Sequence, residues 1–270
     1  MERNLLVVKM GGARNIDHGS TCQDAAALIS QGYRLIFVHG GSDRANQLCS
    51  QLGHPIRTLL SPSGYVSRYT DRRTRDIFVQ AVTEINDQIV GTLHDLGIKA
   101  VGLVNNDTCI LHGHRKEAIR AVVDGRPCVI RDDYSGRVDA VDEVRLRSML
   151  EFGITPVIPP LTYSASDGLL NIDGDHAAAL IAAAIGADQL ILLSNVPGLL
   201  RDVGDENSIL NDVSRDGMEY AMKFANGRMK RKIQSVSEAL QMGVHRAVVA
   251  DGRLPQPLQQ ALNGGGTQFV

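Results

Sequence analysis

Apolar and polar positions along the chain fall into two alternating rhythms. Leu5-Leu6-Val7-Val8 is an unbroken apolar run closed by Lys9, with Gly11-Gly12 just beyond. A short continuous run bounded by turn residues reads as a buried strand. Asp24-Ala25-Ala26-Ala27-Leu28-Ile29 then reads as helix, and Leu35-Ile36-Phe37-Val38 as a second strand. His39-Gly40-Gly41-Ser42 leads into a second helix ending at about Leu52. Strand, glycine turn and helix in repetition predict a parallel sheet with crossover helices.

Farther on, Pro62-Ser63-Gly64-Tyr65 reads as a loop, and a long helix runs from Asp71 to about Leu96. Ile98–Leu103 reads as a third strand. From Cys109 to Val141 the pattern shifts to short β-rich runs broken at Asp124-Gly125 and Ser135-Gly136, which predicts a β-hairpin excursion from the main sheet. Parallel order resumes with Thr155-Pro156-Val157-Ile158, a helix from about His176 to Ile185 and a strand from Gln189 to Leu193. Two helices are expected to flank Arg228–Lys232, and Arg246–Ala250 reads as the last strand. Gly186 falls between a helix and a strand and is the natural lobe boundary, giving 1–186 and 187–270 on one continuous sheet. There is no repeat, low-complexity tract or Pro/Ser-rich linker.

Composition narrows the class. The 270 residues carry a formal net charge of -2, and 43% are hydrophobic, as in an ordinary globular protein. That balance argues against a nucleic-acid protein. No apolar run approaches the roughly 20 residues of a membrane helix. The run after Met1-Glu2-Arg3-Asn4 is too short for a signal-peptide core, so a cytoplasmic address is expected. Cys22, Cys49, Cys109 and Cys128 form no C-x-x-C pair and read as reduced thiols. His112-Gly113-His114 reads as a polar loop with no third ligand in view, and no resident metal site is expected.

Two strands end in Gly-Gly and lead into helices. The first N–H groups of a helix lack partners, and removing side chains there lets an anion approach the backbone. Gly11-Gly12 and Gly40-Gly41 are therefore candidate anion cradles, or simply tight turns. Neither G-x-x-x-x-G-K-[ST] nor G-x-G-x-x-G appears, which disfavours a P-loop kinase and a simple dinucleotide-binding dehydrogenase. Lys9 either ends its strand at the surface or points at the anion. Arg68, in Ser67-Arg68-Tyr69-Thr70-Asp71, has the planar fork suited to a carboxylate, and Asp71 suits a helix N-cap. In Asn171-Ile172-Asp173-Gly174-Asp175, the two acids either cap the next helix or orient lysines or a metal. Gly227-Arg228-Met229-Lys230-Arg231-Lys232 is a dense basic run.

Taken in order, five stretches resemble the amino acid kinase family, and within it the acetylglutamate kinase branch. They are Val7–Gly12, Val38–Ser42, Asn171–Asp175, Leu193-Ser194-Asn195-Val196-Pro197-Gly198-Leu199-Leu200 and Met229–Lys232. Within that branch, Ser42, Ser67–Asp71 and the basic run resemble kinases that act on aminoadipate or glutamate tethered to an acidic amino-group carrier protein. An ordinary acetylglutamate kinase usually has glycine at position 42 and asparagine at 173. The resemblance implies a three-layer αβα sandwich around a mostly parallel sheet, with ATP and Mg²⁺ as cofactors. It assigns substrate binding and homodimer formation to 1–186 and ATP binding to 187–270. It implies that Lys9 and Lys232 stabilise the transferring phosphoryl group, with Lys230 as the alternative, while Asp175 holds the lysines. Gly11, Gly12, Gly40 and Gly41 would offer backbone donors, with Ser42 beside them. Arg68 and Asn171 would hold the substrate's α-carboxylate end. Ser194, Asn195, Gly198 and Asn226 would line the nucleotide site. Arg72, Arg73, Arg75 and the 228–232 run would steer the carrier.

A carboxylate acceptor, with a pKa of about 4.3, is already ionised at neutral pH and needs no general base. The difficulty is bringing an anion to a polyanion, which positioning and fixed positive charge answer. The rival readings are acetylglutamate kinase on the free amino acid, a non-catalytic ligand-sensing relative, and a kinase for carbamate or a nucleoside monophosphate.

Overall fold

The computed structural model describes residues 4–12, 16–62, 64–123 and 126–270. In chain order the first elements are β1 (Leu5–Met10), α1 (His18–Ser30), β2 (Arg34–His39) and α2 (Ser42–Gln51). The hairpin β3 (Thr58–Leu60) and β4 (Val66–Arg68) follows, then α3 (Arg72–Asp95) and β5 (Ala100–Gly102). Next come β6 (Leu111–Arg115), β7 (Ile119–Val123), β8 (Arg126–Ile130), β9 (Gly136–Val141) and α4 (Glu143–Glu151). The middle of the chain gives β10 (Thr155–Ile158), β11 (Leu161–Ser164), β12 (Gly168–Asn171), α5 (Gly174–Ile185) and β13 (Gln189–Ser194). The last elements are β14 (Asp212–Val213), α6 (Met218–Met222), α7 (Gly227–Gln241), β15 (Arg246–Asp251), α8 (Pro257–Leu262) and β16 (Thr267–Phe269).

Among the described residues, eight strands form the main sheet in the order β14-β16-β15-β13-β1-β2-β10-β5. The strands from β15 to β5 run parallel, and β16 lies antiparallel against β15. Both faces are covered, which is why the strands read as continuous apolar runs. In β1 the side chains of Leu5 and Val7 join the core under α5 and α7, while Leu6, Val8 and Met10 join the core under α1 and α3. The result is a three-layer αβα sandwich. The sheet crosses Gly186, which ends α5 in a left-handed conformation (φ 64°) as a C-cap glycine does.

Two four-stranded sheets sit beside the main one, β12-β11-β6-β9 and β4-β3-β7-β8. The hairpin excursion is present as β7–β8, nested between β6 and β9; its expected turn at Asp124-Gly125 lies outside the described residues. Three local expectations are corrected. Arg246–Ala250 is not the last strand, because β16 follows and pairs with it. The basic run is not flanked by two helices; it forms the first turns of α7 itself, with the short α6 before it. His112-Gly113-His114 is strand β6 rather than loop, bulged between His112 and Gly113, where a side chain on Gly113 would overlap the carbonyl of Arg137. No described helix is long and apolar enough to cross a membrane.

Candidate active site

Parallel strands β1, β2 and β13 end on the same edge of the sheet, where ligands bind in open α/β folds. Lys9 is the penultimate residue of β1 and shares the face of Leu5 and Val7, so it points toward α5 rather than ending the strand at the surface. Asp175 lies in the first turn of α5, and Lys232 lies on the inner face of α7. Lys9 Nζ is 2.8 Å from Asp175 Oδ1, and Lys232 Nζ is 3.0 Å from Oδ2 and 3.2 Å from Oδ1. The structure thus brings Lys9, Lys232 and Asp175 together from three elements on both sides of Gly186. Lys230 points elsewhere, its ammonium 5.5 Å from the centre of the Tyr65 ring.

The two lysines are buried, only 9% and 7% exposed, and the Asp175 side chain between them is 12% exposed. Burial opposes the Asp175 carboxylate, but Lys232 and Lys9 outweigh it and hold the carboxyl well below the usual range. Lys232 is pulled below its ordinary value by burial; Asp175 opposes this and Lys9 adds to it. Both values move down, Asp175 because two ammonium groups face it and Lys232 chiefly because it is buried. One carboxylate shared by two ammonium groups leaves a surplus positive charge in a place with little water, which an incoming phosphate would offset.

The glycine turns pack against one another. A side chain on Gly12 would come within 2.7 Å of Gly41 N, and one on Gly40 within 2.5 Å of Gly12 N. A side chain on Gly41 would strike Val82 of α3, and one on Gly11 would strike Ile16. The Gly12 carbonyl accepts from Asp43 N in the first turn of α2 (3.2 Å), so the two turns form one backbone surface beside Lys9. His39, fully buried, supports it: Nδ1–H donates to Gly40 O (3.2 Å), and Nε2 accepts from Asn86 Nδ2 (3.1 Å), which also donates to Val157 O (3.0 Å). Burial pushes the His39 imidazole down to about 3, so it stays neutral.

On the substrate side, Arg68 Nη2 donates to the carbonyl of Ser42 (3.2 Å) and to Asn46 Oδ1 (2.5 Å), while its buried Nη1 has no partner among the described residues. Asn171 Nδ2 donates to Thr70 Oγ1 (3.2 Å), and Thr70 Oγ1 donates to the Arg68 carbonyl (3.3 Å), linking Asn171 to Arg68 through one hydroxyl. Asp133 Oδ2 accepts from Thr70 N (2.8 Å). Asp173 is the N-cap of α5, accepting from the N–H of Asp175 and of His176, and also pairs with Arg231 (3.3 Å). Asp71 caps α3 through Thr74 N (2.7 Å).

The remaining candidates lie along the end of β13. Ser194 is buried there and its carbonyl accepts from Gly252 N (2.7 Å), while Asn195 is exposed. Gly198 packs on β16, where a side chain would come within 2.7 Å of Thr267 Oγ1, so packing alone requires glycine. Asn226 occupies the N-cap position of α7 without a side-chain capping bond. Arg75 departs from expectation. It donates to the carbonyls of Asp167 (3.0 Å) and Leu169 (3.3 Å) and stacks on Tyr134, so it ties α3 to β12 rather than facing a partner. Arg72 and Arg73 are exposed. Asn46 and Asn86 carry no sequence signal, and the contacts of His39, Tyr65 and Arg231 are not legible in the stretches that contain them, because each is made with a neighbour distant in the chain.

The chain is similar to known proteins in sequence and in fold. A protein named [LysW]-aminoadipate kinase in Deinococcus radiodurans is 42% identical over 265 residues, covering 98% of this chain and 91% of that one. One of the same name in Thermus thermophilus is 41% identical over 266 residues, covering 97% and 99%. Among solved structures, N-acetylglutamate synthase from Neisseria gonorrhoeae, complexed with coenzyme A and N-acetyl-glutamate, shares the fold with a TM-score of 0.81 at 24% identity. All of this chain is covered in that comparison, and it spans 60% of the synthase. Residues 4–251 match the amino acid kinase family, to which this chain belongs.

Proposed function

We propose that this protein transfers the γ-phosphoryl group of ATP to the side-chain carboxylate of aminoadipate held on an amino-group carrier protein, yielding an acyl phosphate for lysine biosynthesis. The observation that carries the chemistry is the pair of buried ammonium groups of Lys9 and Lys232 on the single carboxylate of Asp175. The names of the relatives from Deinococcus and Thermus support the acceptor and the carrier. In this reading Lys9 and Lys232 are the catalytic residues and Asp175 fixes them. Gly11, Gly12, Gly40 and Gly41 offer backbone donors to the phosphates, with Ser42 beside the acceptor. Arg68 takes the acceptor's α-carboxylate with its unpartnered Nη1, and Asn171 orients that end through Thr70. Ser194, Asn195, Gly198 and Asn226 line the nucleotide, so that 187–270 is the ATP half and 1–186 the acceptor half. Dimerisation through the first half and action in the cytoplasm complete the proposal.

Mg²⁺ fits as the counter-ion carried on the nucleotide's phosphates rather than as a resident ion. Among the described residues no three His, Cys, Asp or Glu side chains converge, and both Asp175 oxygens are engaged by lysines. Bound there, it would neutralise phosphate charge. The protein's own part is to align acceptor and phosphoryl group and to supply the cations.

An assay of ADP release with carrier-bound aminoadipate, carrier-bound glutamate and free N-acetylglutamate decides the acceptor. Turnover is expected with carrier-bound aminoadipate. Turnover confined to free N-acetylglutamate overturns the reading.

A further inference from the structure

The loop of the β3–β4 hairpin joins the two sides of the cleft. At one end Arg68 grips α2; at the other, Tyr65 rests on the first turns of α7. The loop is closed by two hydrogen bonds, Tyr65 N to Ser61 Oγ (2.9 Å) and Ser61 N to the Tyr65 carbonyl (2.7 Å). These bonds hold the Tyr65 backbone, and its ring sits against two cations, Lys230 Nζ at 5.5 Å and Arg231 Cζ at 5.3 Å from its centroid. These are the two residues immediately before Lys232. Arg231 also reaches Asp173, whose carboxylate caps the turn that presents Asp175. A continuous set of contacts thus runs from hairpin to ring, to Arg231, to Asp173 and to the Lys232–Asp175 pair. The Tyr65 hydroxyl is buried with no hydrogen-bond partner among the described residues, as is Nη1 of Arg68 on the same hairpin. Two unpaired donors on one short hairpin suit an acceptor with several oxygens.

We propose that Tyr65 is a positioning residue that couples acceptor binding to placement of the phosphoryl-transferring lysine. Its hydroxyl donates to an oxygen of the carrier-bound acceptor, and its ring holds the first turn of α7 so that Lys232 meets Asp175. The hydroxyl's part rests on the acceptor reading above; the ring's part does not. Attraction of a cation to an aromatic face depends on the ring and survives loss of the hydroxyl.

The experiment compares Tyr65→Phe and Tyr65→Leu in the full chain. Tyr65→Phe is expected to keep kcat within about twofold and leave KM for ATP unchanged, while KM for carrier-bound aminoadipate rises about fivefold. Tyr65→Leu is expected to lower kcat about tenfold, with the alkaline limb of its pH profile moved to lower pH as Lys232 loses contact with Asp175. Calorimetric binding of a non-hydrolysable ATP analogue without acceptor is expected to weaken in Tyr65→Leu and to match wild type in Tyr65→Phe. Lys230→Met, which keeps bulk and removes one cation, is expected to weaken it less. Wild-type nucleotide affinity in both Tyr65→Leu and Lys230→Met overturns the proposal, as does a Phe variant as impaired in kcat as the Leu variant. If the wild type does not use carrier-bound aminoadipate, the acceptor reading fails, and the nucleotide-binding arm still decides the role of the ring.

Discussion

One carboxylate facing two buried ammonium groups is the central fact at the scale of single residues. If the surplus charge is what meets the phosphoryl group, Lys9→Ala and Lys232→Ala should each lower kcat by roughly a hundredfold or more, about 3 kcal/mol of transition-state stabilisation, by comparison with loss of a single oxyanion donor. Single-turnover kinetics measures this directly, and unchanged turnover in both variants removes the assignment. The lowered Lys232 value adds a pH signature. Its ammonium gives up its proton below the usual lysine value of about 10.4, so rate falls on the alkaline side earlier than an exposed lysine would dictate. Lys232→Arg cannot deprotonate in that range and should lose that limb, whatever its absolute rate. Lys9, Asp175 and Lys232 were legible in the sequence because each belongs to a short local motif. Arg231 was read only as part of a basic run, and Asn46 and the His39–Asn86 pair not at all. Their partners lie 58, 22 and 47 positions away, beyond any local pattern.

Among the elements, the short α8 shows how helix ends are settled across the fold. Its N-cap position is Gln256, in a left-handed conformation (φ 53°) and without a side-chain cap. Asp24, buried in α1, supplies it instead, accepting from Leu258 N (2.6 Å), Gln259 N (3.1 Å) and Gln259 Nε2 (2.6 Å). Asp24→Ala leaves these donors unpaired and should cost about 1–3 kcal/mol in urea unfolding, with Asp24→Asn costing less. A loss below a few tenths of a kcal/mol would mean that solvent replaces the cap. The main sheet was legible because its strands are apolar on both sides and end in glycine. The missed strands β14 and β16 have two and three residues, too few to show a period. The basic run was misplaced because its charges hide the apolar face of α7, where Ile233 and Val236 are buried. Arg75 was read as facing a partner, although it is engaged within the fold by two backbone carbonyls, the Asp76 carboxylate and the Tyr134 face.

At the scale of the whole molecule, the hairpin that carries Arg68 belongs to one of the two small sheets, and the exposed Arg72 and Arg73 follow it in the chain. If an acidic carrier docks on that side, raising salt from about 0.05 M to 0.5 M should raise KM for the carrier-bound acceptor severalfold and leave KM for ATP little changed. Equal sensitivity of both constants would argue against electrostatic docking. A different consequence follows from the neutral imidazole under the second glycine turn. The unfolded chain takes up a proton at His39 near 6.5, whereas the native fold refuses it until about 3. Its share of stability is present well above 6.5 and drains away as pH falls through that interval, the loss amounting to about 2 kcal/mol by pH 5. Urea midpoints at pH 7 and pH 5 should differ by that amount, and the difference should shrink in His39→Gln. Mild acid thereby acts as a fuse set beneath the proposed catalytic floor, one that ordinary fluctuations around neutrality never reach.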